Sequence, residues 1–296
     1  MADLELYDDP AAFLRAAGDH LRVEPVVSTV VATVAERAAR DDAAGIAPDG
    51  PYRWWAVARD DAGAVVGTAM RTAPFTPYPL FVLPMPDDAA VRLARLLHER
   101  GEAAVGVNGA LPAARRCAEE LARLTGGTVE VAQHTRLHRL DELVAPRLPA
   151  GRLAAAGPDD VGLALRWFEA FAHDADEQAG REPGSMHEMA ETAETMRQRI
   201  EDGRVWLWLD EAGAPVHLTG LNAPAFGAAR IGPVYTPREQ RGRGYAGATV
   251  AALSQRLLDA GVVPCLYTDQ ANPTSNALYA ALGYQPVVDM ANLLVL

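Results

Sequence analysis

The sequence predicts an α+β protein made of two tandem copies of one mixed α/β domain. Three observations lead there. Stretches with strand-like and helix-like patterning follow the same order through both halves. The turns Asp61-Ala62-Gly63-Ala64 and Glu211-Ala212-Gly213-Ala214 are nearly identical, stand 150 positions apart, and each joins two apolar runs of hairpin type. At 296 residues and 49% hydrophobic content, the chain has material for two ordinary cores.

The first half opens with helical patterns over Asp9–Gly18 and Val26–Arg40, followed by an Asp/Gly/Pro-rich loop, Asp41–Pro51. Tyr52–Ala58 and Val65–Met70 read as a hairpin, and Leu80–Leu83 as a third strand within Pro74–Pro86. A helix over Asp87–Glu99 stops at Gly101, Ala103–Val107 is a strand, Pro112–Leu124 a helix stopped by Gly126, and Val129–His138 one strand or two.

A Pro-punctuated linker, Ala145–Gly151, then starts the series again. Arg152–Ala155 is a strand, Asp159–Ala172 and Met186–Ile200 are helices, and Arg204–Leu209 with Pro215–Leu221 form the second hairpin. Domains of residues 1–147 and 148–296 follow. The duplication sets the helix at Asp87 against one opening at Arg241, and the helix at Pro112 against one at Pro273.

Composition narrows the function. The net charge of −12 argues against a nucleic-acid or anionic-membrane surface and permits an amine-bearing partner. No apolar run reaches membrane-spanning length, and the N-terminus has no secretory pattern, so a cytoplasmic protein is expected. The two cysteines, Cys117 and Cys265, lack metal-ligand or disulfide spacing, and no metal is expected. All 27 basic residues are arginine. Nothing in the sequence supports an oligomer.

The chemistry concentrates in Ile231–Gly247, a strand leading through Pro237 into the glycine-rich Arg241-Gly242-Arg243-Gly244-Tyr245-Ala246-Gly247 and on into an Ala/Leu-rich helix that stops at Gly261. Such a loop binds anions: glycine lets successive N–H groups turn inward, and the first helical turn offers unpaired donors at the positive end of the dipole. Arg241 and Arg243 add charge suited to a pyrophosphate. A purely structural turn is one alternative. A dinucleotide fingerprint is another, opposed by the four residues Pro237–Gln240 before the glycines and by the single βαβ unit left downstream.

Val234-x-x-Pro237 with Arg241-x-x-Gly244-x-Ala246 resembles the coenzyme A pyrophosphate loop of the GNAT superfamily of N-acetyltransferases. Asn272-Pro273-Thr274-Ser275-Asn276-Ala277-Leu278-Tyr279 through Gly283-Tyr284 resembles the second motif of the same superfamily. The resemblance covers residues 150–296 by motif and 1–145 by topology alone. It implies two tandem GNAT-like domains, each a mixed, mostly antiparallel sheet flanked by helices. In the first copy Pro84-Met85-Pro86-Asp87-Asp88 puts acids where phosphate needs donors, and Cys117-Ala118 stands where a tyrosine would be, so only the second copy is expected to act.

What the resemblance implies at the site is acetyl-CoA as acyl donor, between splayed strands Arg230–Thr236 and Val262–Asp269. Backbone groups of Val234, Tyr235 and Thr236 would meet the pantetheine, and Arg241, Gly242, Arg243, Gly244, Tyr245 and Ala246 the pyrophosphate. Asn272 and Asn276 complete the cofactor set. Asn272 also reads as an N-cap with Pro273 at the first helical position. Tyr279 would donate a proton toward the departing thiolate.

A primary amine is the expected acceptor. One with pKa ~10.4 costs roughly 4.6 kcal/mol to deprotonate at neutral pH, so a base is needed. The superfamily often uses a glutamate on the strand before the loop, and Arg230–Thr236 has none. Asp269, Tyr235 through water, and His217 remain as candidates, with a hydrogen-bonded structural role the commoner one for a lone strand histidine. The acids in Ala172–Pro183 offer a surface for the acceptor's ammonium. The expectation is an N-acetyltransferase acting on a small amine, and the non-enzyme alternative an acyl-CoA-binding pseudoenzyme.

Overall fold

The structure is a computed structural model that describes residues 3–47, 53–72, 80–178 and 191–296. It packs as two compact units, Met1–Leu137 with Val287–Leu296, and His138–Pro286. The C-terminal strand, which the sequence reading kept with the second half, thus packs with the first.

In the first unit the strands lie in the order β1 (Asp3–Tyr7), β2 (Trp54–Arg59), β3 (Val65–Arg71), β4 (Leu80–Val82), β5 (Gly106–Ala110), then β12 (Gln285–Val295) and β6 (Val129–Arg139). All described neighbours are antiparallel except β4 with β5. β1 was not expected from the sequence.

Helix α1 (Pro10–Val23) starts where Asp9 Oδ1 accepts the Ala11 amide at 2.8 Å. It runs past the expected stop at Gly18 because Phe13, Ala17 and Leu21 form one continuous buried stripe, and it ends only where Pro25 opens α2 (Pro25–Ala43). α3 (Asp87–Glu99) and α4 (Ala113–Thr125) cover the other face, with Leu93, Leu97, Cys117 and Leu121 in a core shared with Trp54, Leu80, Val107 and Leu293.

Strand β5 begins later than the expected Ala103. A Cβ added at Gly109 would lie 2.2 Å from the Val82 carbonyl oxygen, so glycine alone allows β4 and β5 to close over their whole shared length.

The second unit repeats the order with β11 (Val263–Asp269), β10 (Ala228–Tyr235), β9 (Pro215–Leu221), β8 (Val205–Leu209) and β7 (Arg152–Ala155) as neighbours. Only β10 with β11 is parallel. α5 (Val161–Gln178) and α6 (Ala193–Glu201) pack on Val205, Leu207 and Leu218. α7 (Tyr245–Asp259) and α8 (Pro273–Ala281) enclose a second core with Ile231, Val250, Leu253, Leu257, Leu266 and Leu282. The start expected at Met186 lies outside the described residues; α6 itself begins later, at Ala193, behind a Thr192/Thr195 capping box, and ends at Glu201.

The hairpin turns of the two units are built alike. Asp60 Oδ1 accepts the Ala62 and Ala64 amides at 3.0 and 2.9 Å, and Asp210 Oδ1 those of Ala212 and Ala214 at 3.0 and 2.8 Å. Gly63 and Gly213 take the same left-handed φ, 84° and 82°. Among the described residues no helix is long and apolar enough to cross a membrane, and no group of His, Cys, Asp and Glu could hold a metal.

Gly109→Ala is expected to cost about 3 kcal/mol or more, because backbone rather than a flexible side chain must move. Urea denaturation reads this, and a loss below 1 kcal/mol would contradict the close approach.

Candidate active site

The site grows out of an irregularity in β10. The strand pairs with β11 through Ala228↔Val263, Ala229↔Pro264 and Arg230↔Cys265, and there the described pairing ends. Two residues later its register against β9 slips between Ile231 and Val234, where Pro233 has no N–H to give a ladder. Gly220 on β9 makes room for the slip: a Cβ there would meet the Gly232 carbonyl oxygen at 2.6 Å. The bulge turns β10 onto β9, and β11 runs on to Asp269 without it. Because the two strands are parallel, the loops that leave them for α7 and α8 emerge at the same edge of the sheet, the usual place for a ligand crevice.

The loop into α7 is a row of unused donors. Pro237 turns the chain into a short 3₁₀ turn, Arg238–Gln240, and Gly242 and Gly244 take φ of 77° and 86°. Gly244 caps α7 with no side-chain hydrogen bond. The first protein acceptor in this stretch is the Gly244 carbonyl, which takes the Ala248 amide at 3.0 Å. Among the described residues, the amides of Gly242, Arg243, Gly244, Tyr245, Ala246 and Gly247 donate to no protein acceptor. Six successive free N–H groups at the positive end of a helix fit a diphosphate.

The arginines divide. Arg241 pairs with Asp174 of α5 and gives its Nε to the Thr236 carbonyl at 3.0 Å. Arg238 takes the other Asp174 oxygen at 2.6 Å and also Glu177. Arg243 is the more loosely held, with one contact of 3.3 Å to the Glu239 carbonyl. The segment Ala172–Pro183, read from the sequence as a loop with acids facing the acceptor, is helical over its described part. Ala172–Gln178 is the end of α5, and Asp174 and Glu177 are already paired with arginines; residues 179–183 lie outside the described residues. Asp174 stays ionised below the usual carboxylate range despite its burial, held there by Arg238 and Arg241.

Of the base candidates, His217 is buried with both ring nitrogens used, Nδ1 to Thr236 Oγ1 and Nε2 to Thr219 Oγ1, each at 2.7 Å. Burial pulls its pKa down to about 3, so it is neutral and locked, as a structural histidine is. Tyr235 packs its ring 6.0 Å from Trp167 of α5, and burial with the Asp174 carboxylate raises its phenol. Asp269, at the end of β11, accepts the Ala271 amide at 2.8 Å.

On the α8 side, Asn272 Oδ1 caps the helix by accepting the Thr274 and Ser275 amides, both at 3.1 Å. Asn276 Nδ2 braces the preceding turn through the carbonyls of Asp269 at 3.0 Å and Gln270 at 3.3 Å. Both carboxamides, expected at the cofactor, thus shape the loop. Tyr279 is buried with its ring 5.9 Å from that of Tyr284, whose hydroxyl meets Ser254 Oγ at 2.8 Å. The Tyr279 hydroxyl has no partner among the described residues, and burial raises its phenol, so it keeps its proton through the ordinary pH range. The sequence marked Asp174 only as one of the Ala172–Pro183 acids; its grip on Arg238 and Arg241 shows only once α5 is placed beside the loop.

With that geometry in view, residues 221–292 match the sequence family described as FR47-like protein. The fold matches a GCN5-related N-acetyltransferase from Sphaerobacter thermophilus at 20% identity and TM-score 0.58, covering 99% of this chain and 94% of that one. It matches a Drosophila protein at 14% identity and TM-score 0.66, over 99% and 98% of the two chains. A tandem GNAT protein from the clavulanic acid biosynthesis pathway matches at 16% identity and TM-score 0.51, again over 99% and 98%. No curated protein matches in sequence. The chain has the fold of these tandem GNAT structures.

His217 sets a pH dependence of stability. The folded state excludes a proton that the unfolded chain takes up below about 6.5, so stability is full above that pH and lost as pH falls toward 3, on the order of 4–5 kcal/mol in all. Denaturant midpoints of His217→Gln should fall less between pH 6.5 and 4 than those of the unchanged protein; equal slopes would contradict the neutral, locked imidazole.

Proposed function

We propose that the second copy, bounded in the sequence at 148–296, is an acetyl-CoA-dependent N-acetyltransferase acting on a small primary amine, and that the first, 1–147, keeps the fold without the cofactor loop. The carrying observation is the row of unpaired amides from Gly242 to Gly247 beside strands that have parted. In the first copy the matching strands stay closed, and the matching helix opens on Asp87, which is paired to Arg116 at 2.9 Å.

On this reading, Gly242–Ala246 and Arg243 hold the diphosphate, while the backbone of Val234, Tyr235 and Thr236 lies along the pantetheine as an added strand would. Bound acetyl-CoA supplies the activated acyl group. The amine nitrogen attacks the thioester carbonyl, a C–N bond forms as the C–S bond breaks, and Tyr279 gives a hydrogen bond to the sulfur as charge gathers there. The proton lost by the amine leaves through Asp269, or through Tyr235 and water.

A second reading has its own support. β10 carries no carboxylate, His217 is locked, and Asp269 is occupied with the Ala271 amide. A chain without a working base would bind acyl-CoA and sense it. Thiol release from acetyl-CoA over a panel of primary amines separates the two: turnover above background supports the transferase, and saturable CoA binding without turnover supports the sensor.

Tyr279→Phe should lower kcat about a hundredfold and leave CoA affinity within twofold. It should not destabilise the fold, since the hydroxyl removed has no partner. Unchanged kcat from pH 6 to 10 would remove Tyr279 from the chemistry.

A further inference from the structure

Asp174 joins α5 to the loop of unused donors through more than its ion pairs. Trp167 and Asp174 stand seven positions apart on α5, about two helical turns, and so share a face of that helix. That face meets the end of β10 twice. The Trp167 ring packs on Tyr235, and the Asp174 carboxylate, by its charge and a hydrogen bond, adds to burial in raising the Tyr235 phenol. Oδ1 of the same carboxylate accepts Nε and Nη2 of Arg238 at 3.1 and 2.6 Å, and Oδ2 accepts Arg241. One buried group on α5 thus fastens the beginning, middle and end of residues 235–241, through which β10 reaches the glycines.

Past Arg241 the protein supplies no such hold. Residues 242–244 are exposed, Gly242 and Gly244 take left-handed φ, and no amide of residues 242–247 finds a protein acceptor among the described residues. A backbone of that kind keeps its direction only through its two ends. One end is α7; the other is Arg241, whose place is set from α5.

Charge gives Arg238 and Arg241 this task rather than direct contact with phosphate. They face Asp174 and Glu177, two cations against two anions, whereas Arg243 has its 3.3 Å contact with a carbonyl. Drawing Arg241 onto a phosphate would strip a partner from a buried carboxylate, which a low-dielectric site penalises.

We propose that Asp174 is a positioning residue for the donor: it ties residues 235–241 to α5 and so holds the amides of residues 242–247 aimed at the diphosphate. This rests on the acyl-CoA reading of the loop, which transferase and sensor share. The effect falls on donor affinity and spares the step at the thioester.

Asp174→Asn keeps the shape and removes the charge. In NMR titrations the variant should bind coenzyme A about tenfold more weakly than the unchanged protein, and pantetheine within twofold of it. Arg238→Gln, at a largely exposed side chain, loosens the tie from the loop and should weaken coenzyme A about threefold. In the double variant the two losses should fall short of multiplying, because both act through one pairing. Unchanged coenzyme A affinity in Asp174→Asn would overturn the assignment, and tighter binding would overturn it by showing that Asp174 withholds arginines from the phosphates. Equal weakening of coenzyme A and pantetheine would overturn it as general damage to the cleft. If Asp174→Asn does not fold, Arg238→Gln decides alone, and unchanged affinity there contradicts the tie. Should the unchanged protein bind no coenzyme A, the diphosphate reading itself falls and this assignment with it.

Discussion

Two strands that start as neighbours and then part are the constraint on which the rest of the second unit depends. Parallel pairing over Ala228–Arg230 fixes where β10 and β11 leave the sheet, and the slip at Gly232-Pro233 determines that they separate. Each following helix then begins at the mouth of the gap. α7 brings amides there with no acceptor, and α8 brings Tyr279, whose hydroxyl has none either. The residues Gly242–Gly244 are exposed and their amides meet no acceptor among the described residues, and such a grouping of unpaired donors at the mouth of a cleft is what a binding site looks like before its ligand arrives.

The first unit shows what the same order of elements does without that slip. Gly109 lets β5 lie against Val82, β4 stays in register to its end, and Pro86 leads directly into the acids Asp87 and Asp88. The similarly built turns at Asp60 and Asp210 tie the copies together, and the copies differ in the segment between the third strand of each hairpin sheet and the helix after it. A bulge and two glycines separate a closed ladder from a cleft.

How far the sequence could be read follows from how local each feature is. The hairpins, the α7 stripe and the Asn272-Pro273 start of α8 depend on residues within a few positions of one another, and periodicity and capping reveal them. β1 escaped notice because its five residues carry acids at Asp3 and Glu5 and form a strand only by pairing with β2. The packing of the C-terminal strand beside β5 depends on a partner more than 180 positions earlier, as Leu293↔Val107 shows. At the site, the glycine loop and Tyr279 were visible as motifs. The grip of Asp174 on Arg238 and Arg241 and the neutral His217 between two threonines both require side chains from different elements to be placed together, which no local pattern supplies.

The central claim is that the uncapped amides at the start of α7 receive a diphosphate, and amide NMR addresses it most directly. The protein is titrated with coenzyme A and, separately, with pantetheine, which lacks the diphosphate, while the backbone signals of Gly242 through Gly247 are followed. The account predicts large, saturable shifts of those six amides with coenzyme A, and none of comparable size with pantetheine. Coenzyme A binding that leaves these signals in place, or no binding at all, would contradict it.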